Sequence, residues 1–282
     1  MIAKGKSKVH TANFYGFATG NENKNICHHI KDDVNSVVWY LHNYDKAALT
    51  DIIQAADLVI ILSDLNEHSQ VIEVELIIDI AQISNTPVLI YATNTIKLAL
   101  QSSKQTNTAT LLNYIHHNAI IVPLDRHALI NSSEITQYFM QHSNAEDYSV
   151  LSMNLLITLK ALVEPITQQA LIGVDFADYQ LALACKGYYQ TSLYTADYLT
   201  KANNLTADWQ QSEIIIVSIF LNTNNALEVF YDTSELICNI LKKSNAKLLI
   251  APIIDEYITK EPLVSITYKQ VNVVAEKCRV VN

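Results

Sequence analysis

Short runs rich in Val, Ile and Leu recur along the chain, separated by stretches in which apolar residues return every three or four positions. The runs at 36–41, 58–62, 88–91 and 120–122 predict strands. A first strand is expected near 9–15, where the alternation is poorer. Amphipathic stretches at 46–55, 71–83 and 108–116 predict helices between them. Strands that are apolar throughout and alternate with helices predict a mostly parallel sheet covered on both faces.

Residues 148–170 form a long apolar stretch with little amphipathic relief, which predicts a helix buried between two layers. Pro165 lies inside it. Proline removes a backbone donor and crowds the preceding turn, so a kink or break is expected there. Beyond it the order changes. Helices are expected at 178–186, 196–203 and 233–244, and strands at 188–194, 213–221, 246–254 and 263–268. No repeat, low-complexity tract or long linker interrupts the chain. The fold class expected is α/β: a Rossmann-like parallel-sheet domain over 1–147, a long central helix over 148–172, and a smaller α+β carboxy-terminal domain over 173–282.

Composition narrows the function. The chain has 282 residues, half of them apolar and 17% charged, so it can bury a large core. A net charge of -9 with no Lys/Arg cluster argues against a nucleic-acid partner. Three lysines in the first eight residues are followed by no apolar run, so no signal peptide is expected here. The most apolar window, 151–172, is interrupted by Lys160, Glu164 and two glutamines, and no membrane span is expected. The four cysteines are widely spaced, which fits reduced thiols and a cytoplasmic location. Only five glycines are present, where ordinary usage gives about twenty. Phosphate loops use glycine for positive φ and close backbone approach, so a nucleotide site is already in question.

Other candidate chemistry reads as structure. Cys27-His28-His29 and His116-His117 are adjacent pairs that point about 100° apart on a helix, with no further ligands at a metal-binding spacing; no metal is expected. Ser, His and Asp are present without a nucleophile elbow. Glu73 and Glu75 diverge on a helix. Tyr188, Tyr189, Tyr194 and Tyr198 fit packing or an interface.

The segment Gly173-Val174-Asp175-Phe176-Ala177-Asp178, after a long helix, resembles the N-V-D-F-A-D loop of FtsZ. Ala56-Asp57-Leu58-Val59-Ile60-Ile61 is similar to the A-D-M-V-F-I strand of that family. His42-Asn43-Tyr44-Asp45-Lys46-Ala47-Ala48-Leu49 is similar to V-N-T-D-A-Q-A-L, and Pro123-Leu124-Asp125-Arg126 stands where the family has P-N-D-K. Residues 214–221 resemble V-L-V-N-I-T, and 246–256 resemble A-N-I-I-F-G-A-V-I-D-E. The resemblance runs in order over nearly the whole chain and implies an FtsZ/tubulin-like fold.

The departures fall on the nucleotide loops. Where the family has G-G-G-T-G-T-G, this chain has Ser63-Asp64-Leu65-Asn66-Glu67-His68-Ser69-Gln70. Asp64 and Glu67 there put negative charge where an anion would sit. The family's first glycine loop is reduced to Gly16 and Gly20. Only six residues separate Leu49 from Ala56, where the family has some tens. The guanine-reading Asp of the long helix aligns with Met153, or with Asn154 if the register slips by one; Met153 accepts no such hydrogen bonds. A cleft is still expected, narrowed by Leu65, Asn66 and His68. Asn43 and Asp45 belong to the same degenerate set.

The resemblance therefore implies a chain that neither binds nor hydrolyses GTP, carries no cofactor and is not an enzyme. Gly173, Asp175, Phe176 and Asp178 match the family's synergy loop, whose acids reach a neighbouring subunit's nucleotide; the two aspartates equally suit helix capping. The partner implied is FtsZ or another FtsZ-like subunit, regulated or capped at this end. A nucleotide-independent homo-oligomer or filament is the alternative, and a small-ligand binder reusing the emptied cleft is a third. The chain stops at Asn282 soon after its last apolar run, which implies no FtsZ-type tail and no membrane tether.

Overall fold

Strands that must be apolar on both sides dictate where the layers lie. The structure, a computed structural model, describes residues 12–34, 36–41, 45–94, 106–124, 149–167, 176–201, 209, 211–242, 244–258 and 261–270. Five parallel strands form its first part: β1 (Phe14–Ala18), β2 (Val37–Tyr40), β3 (Leu58–Ser63), β4 (Val88–Ala92) and β5 (Ile120–Pro123). They are connected through α1 (Asn21–Ile30), α2 (Lys46–Gln54), α3 (His68–Ile83) and α4 (Thr106–Asn118). The period of two sorts each strand between two cores. Leu58, Ile60 and Leu62 join one cluster, with α1 residues Ile26, Cys27 and Ile30. Val59 and Ile61 join the other, with α2, α3 and α4.

The second part continues the same sheet. It comprises α5 (Val150–Thr167), α6 (Phe176–Leu183), β6 (Gly187–Thr195), α7 (Ala196–Lys201), β7 (Ile214–Leu221), α8 (Ala226–Ile240), β8 (Lys247–Ile254) and β9 (Leu263–Lys269). Among the described residues the sheet has nine strands in the order β2-β1-β3-β4-β5-β6-β9-β7-β8. β6 and β7 run antiparallel to β9, whereas β7 and β8 are parallel. On β7, Ile215, Val217, Ile219 and Leu221 pack under α7 and α8, while Ile214, Ile216 and Phe220 face the side that α5 covers.

The expected α/β architecture with its long central helix is present. Three local expectations differ. The first strand lies at 14–18, later than 9–15; residues 9–11 of that expectation lie outside the described residues. α1 had no counterpart in the expectations, because polar residues fill all but its buried Asn23, Ile26, Cys27 and Ile30 stripe. α8 begins at Ala226, seven residues before the expected 233.

Pro165 is a further difference. α5 runs on to Thr167 through the proline. Proline has no N–H for the carbonyl of Ala161, four residues back. Ser218 on β7 supplies the missing donor: its Oγ donates to Ala161 O at 2.5 Å, and it is fully buried. α5 is tied elsewhere too. Tyr91 Oη on β4 donates to Thr158 O at 3.1 Å. Lys160 Nζ donates to Asp255 Oδ2 at 3.0 Å in a buried ion pair. One turn on, Glu164 is 7% exposed, and its carboxylate accepts no hydrogen bond from the described residues, whereas its carbonyl accepts from Thr167 Oγ1 at 3.3 Å. Burial pushes its carboxyl up to about 7; Lys160 opposes the shift and Asp255 adds to it.

Two stability predictions follow from α5. Ser218→Ala strands the Ala161 carbonyl and is expected to cost about 1–3 kcal/mol in urea unfolding. Pro165→Ala restores the helical donor, so the loss in the double variant is expected to be clearly smaller; simple additivity of the two changes would refute the compensation. Glu164 titrates higher folded than unfolded, so its contribution is present below about pH 4.5 and is lost as pH rises through about 7. Glu164→Gln should match the wild type near pH 4.5 and exceed it above pH 7 by on the order of 3 kcal/mol. A difference independent of pH would show that Glu164 is not the titrating group.

Candidate functional site

The strand order 2-1-3-4-5 creates a crevice. The chain leaves β1 toward β2 on one side and returns past it to β3 on the other, so the loops after β1 and β3 diverge at the carboxyl ends of the strands. Thr19 and Gly20 follow β1, Ser63 and Asp64 close β3, and Thr93 and Asn94 follow β4. An open α/β sheet binds its ligand at this point.

Here the crevice is filled from within. Gln70, in the first turn of α3, folds its side chain back across Gly20. Its Oε1 accepts from Thr19 Oγ1 at 2.8 Å, from Asn23 Nδ2 at 3.1 Å and from the backbone N–H of Asp64 at 3.0 Å. Asn23 also donates to Thr19 O at 2.8 Å, and Thr19 Oγ1 lies 2.8 Å from Ser63 Oγ. Gly20 has φ +74 and a Cβ there would lie 2.6 Å from Gln70 Nε2, so both the backbone and the space require glycine.

The loop after β3 turns its remaining donors inward. Asn66 N–H donates to Asp64 Oδ1 at 2.9 Å, and Glu67 N–H to Asp64 O at 3.2 Å. Asp64 Oδ2 accepts from Asn94 Nδ2 at 2.9 Å, and Asn66 Nδ2 donates to Asn94 O, joining the ends of β3 and β4. The N–H of Asp64 is taken by Gln70 and those of Asn66 and Glu67 by Asp64 itself, and the Asp64 carboxylate stands in the loop.

The residues expected as one degenerate nucleotide site separate in space. Gly16 is inside β1 rather than in the following loop; a Cβ there would lie 2.4 Å from the Trp39 ring, so its role is close packing. Gly20, Asp64 and Asn66 are at the crevice. Glu67 and His68 are exposed at the start of α3, and Leu65 is turned into the core and does not narrow the cleft; Gln70 and Asn66 do. Asp45 caps α2, accepting from Ala48 N–H at 2.8 Å. Met153 is half-buried in α5 between two apolar clusters, and Asn154 is fully buried. Asn43, Gly173 and Asp175 lie outside the described residues. Phe176 is the first residue of α6, and Asp178 is exposed in its first turn.

Sequence reasoning missed Gln70, Thr19 and Asn23. The one available signal was Gly20 followed by polar Asn23 on the buried stripe of α1. The histidines stay apart from this site. His28 and His29 are exposed on α1, and His116 stacks on Tyr188 with ring centroids 4.7 Å apart. Burial holds the His116 imidazole below its ordinary range, with smaller contributions from His117 and Lys269. Among the described residues no group of three or more His, Cys, Asp or Glu is placed to hold a metal ion, and no helix is long and apolar enough to cross a membrane.

No protein-family model and no curated protein sequence matches the chain. Its structure is similar to that of an FtsZ W319Y mutant from M. jannaschii, with 15% identity, 93% of this chain and 92% of that one covered, and a TM-score of 0.68. It is similar to GDP-bound monomeric CetZ1 from Haloferax volcanii at 9% identity, covering 93% and 96% with a TM-score of 0.56. It is also similar to TubZ from Bacillus thuringiensis serovar israelensis in GDP-form protofilaments, at 9% identity, covering 92% and 85% with a TM-score of 0.53. What all three share with this chain is the FtsZ/tubulin-like fold.

Proposed function

We propose that this chain is a non-catalytic FtsZ-like protein that regulates or caps FtsZ-type filaments through its synergy-loop end. The observation that carries the reading is the Gln70 plug. In a fold whose switch-point crevice ordinarily receives a ligand, a side chain of the same chain takes the donors of the loops after β1 and β3. A chain without a working nucleotide face, but with synergy-loop residue types at the opposite end, adds to a filament and offers nothing for the next subunit. The match of Gly173, Asp175, Phe176 and Asp178 to the family's loop supports that end as the contact, and the exposure of Asp178 leaves it accessible.

A second reading is a homo-oligomer that assembles without nucleotide. It draws support from the similarity to TubZ, seen in protofilaments.

Calorimetry with GTP is expected to give no binding; a dissociation constant in the low micromolar range, roughly -8 kcal/mol, would overturn the reading. Gln70→Ala is expected to lose about 1–3 kcal/mol of stability by leaving the Asp64 N–H without its acceptor and the Asn23 amide with only Thr19 O, and still not to gain GTP binding. Light scattering of FtsZ polymers tests the partner. Substoichiometric protein should lower the signal, and the Asp175→Ala/Asp178→Ala variant should not, since losing a buried charge pair costs about 2–5 kcal/mol. Equal inhibition by both proteins would exclude the loop as the contact. No effect from either, with the chain sedimenting alone, would favour the homo-oligomer.

A further inference from the structure

The junction of β5 with β6 is in register at two positions, Ile120 with Gly187 and Ile121 with Tyr188. One side chain covers both of the β6 residues. His116, in the last turn of α4, stacks its ring on Tyr188 with centroids 4.7 Å apart and planes 22° apart. Its Cε1 stands 3.4 Å from where a Cβ on Gly187 would be, and Lys269 Cε on β9 stands 3.3 Å from the same point. Gly187 has φ +131, and its N–H donates to Ala119 O at 3.0 Å. The end of α4, the start of β6 and the end of β9 therefore meet at one histidine.

The surroundings suit a neutral ring. His116 Nδ1 is buried and has no hydrogen-bond partner among the described residues. A neutral imidazole leaves one nitrogen without a hydrogen, whereas an imidazolium carries a hydrogen on each. A charged ring here buries a donor with no acceptor. On α4 itself, His117 meets the ring edge-on at 5.3 Å and has its own Nδ1 2.6 Å from Asn113 O. On α3, which packs against α4, Asp79 accepts from Tyr114 Oη. Ahead of β6, Lys186 Nζ donates to Leu183 O at 3.4 Å. From β9 comes the Lys269 ammonium, whose Nζ pairs with Glu213 Oε2 at 2.7 Å, just before β7. The face of Tyr188 and the carboxyl end of α4 attract a cation. Burial opposes them, with His117 and Lys269 repelling a positive ring, and this opposition prevails.

We propose that His116 is a proton-sensitive clasp on the β5–β6 junction: a protonated ring leaves Tyr188, and the two rungs beneath it open ahead of the rest of the sheet. The coupling has one direction. His116 takes a proton less readily against Tyr188 than when released to water, so each proton favours the released state. Opening therefore grows as pH falls through the ordinary histidine range. Glu164 works oppositely. Its carboxyl, raised to about 7, makes the whole chain more stable as pH falls, so acid opening at the junction does not come from it. The clasp does not depend on what the chain assembles with.

The test is amide hydrogen exchange of the full chain, followed by NMR and corrected for the intrinsic effect of pH. Protection of the Gly187 N–H is expected to fall several-fold between about pH 7.5 and about pH 5, while that of Ile61, on β3 between β1 and β4, does not. His116→Phe keeps an aromatic stack and carries no proton, and is expected to hold Gly187 equally protected at both pH values. In the wild type the His116 Cε1 resonance is expected to titrate below the ordinary histidine range. Circular dichroism checks that the variant is folded; if it is not, the wild-type titration decides. Gly187 protection that ignores pH in the wild type, an equal fall in His116→Phe, or a ring that titrates at or above the ordinary range would overturn the assignment. Equal loss at Gly187 and Ile61 would mark global unfolding, and would overturn it too.

Discussion

A helix buried on every side has no water to satisfy its polar groups, and the rest of this structure is arranged around meeting that demand for α5. Its apolar residues divide between two cores: Leu155, Leu156, Leu159, Leu162 and Val163 belong to the cluster under the parallel strands, and Ile157 and Ala161 to the cluster under β7 and β8. The helix is therefore the common floor of both parts of the sheet. Burial alone would permit it to slide along either part. Three directed contacts fix it: Tyr91 from β4, Ser218 from β7 and Asp255 from the end of β8. Removing one partner of such a contact leaves a desolvated group, which costs more than the contact itself contributes. Glu164 is the group for which no such contact is made within the described structure.

The crevice at the switch point follows a different rule. Strand order makes it, and side chains decide what occupies it. A glycine-rich loop leaves its N–H groups pointing outward for an anion. Here the amide oxygen of Gln70 stands in as a neutral acceptor, and Asp64 folds its loop around its own carboxylate. A carboxylate in that loop is tolerable because Asn66 and Asn94 donate to it or beside it. Asp64 organises the loop through both its carboxylate and its carbonyl.

Much of the fold was legible because it rests on local periodicity. Leu58 to Leu62 reads as a doubly buried strand from five consecutive apolar residues, and it is one. Residues 46–55 read as a helix, and one runs over Lys46–Gln54, where the structure adds Asp45 as its cap. α1 was not legible, since its buried stripe includes Asn23 and its other faces are polar. The site was half legible. Missing glycines announced that the loop after β3 had changed. What replaced them depends on Gln70 meeting Thr19 across 51 positions, and no spacing rule encodes that. Pro165 taught the same lesson. A proline in a helix reads as a break from local chemistry alone, and the residue that averts it, Ser218, lies 53 positions away, on a strand.

The seam between the two parts of the sheet is short. β5 and β6 are in register at two positions only, Ile120 with Gly187 and Ile121 with Tyr188, while β6 then pairs with β9 at seven. In mechanical terms this is a compliant joint between two stiff plates. Twist applied to the molecule concentrates at those two rungs, and the restoring torque comes from α5, gripped by Tyr91 on one plate and by Ser218 and Asp255 on the other. The helix thus braces the joint like a torsion bar, through these three side chains and through the core shared across the seam.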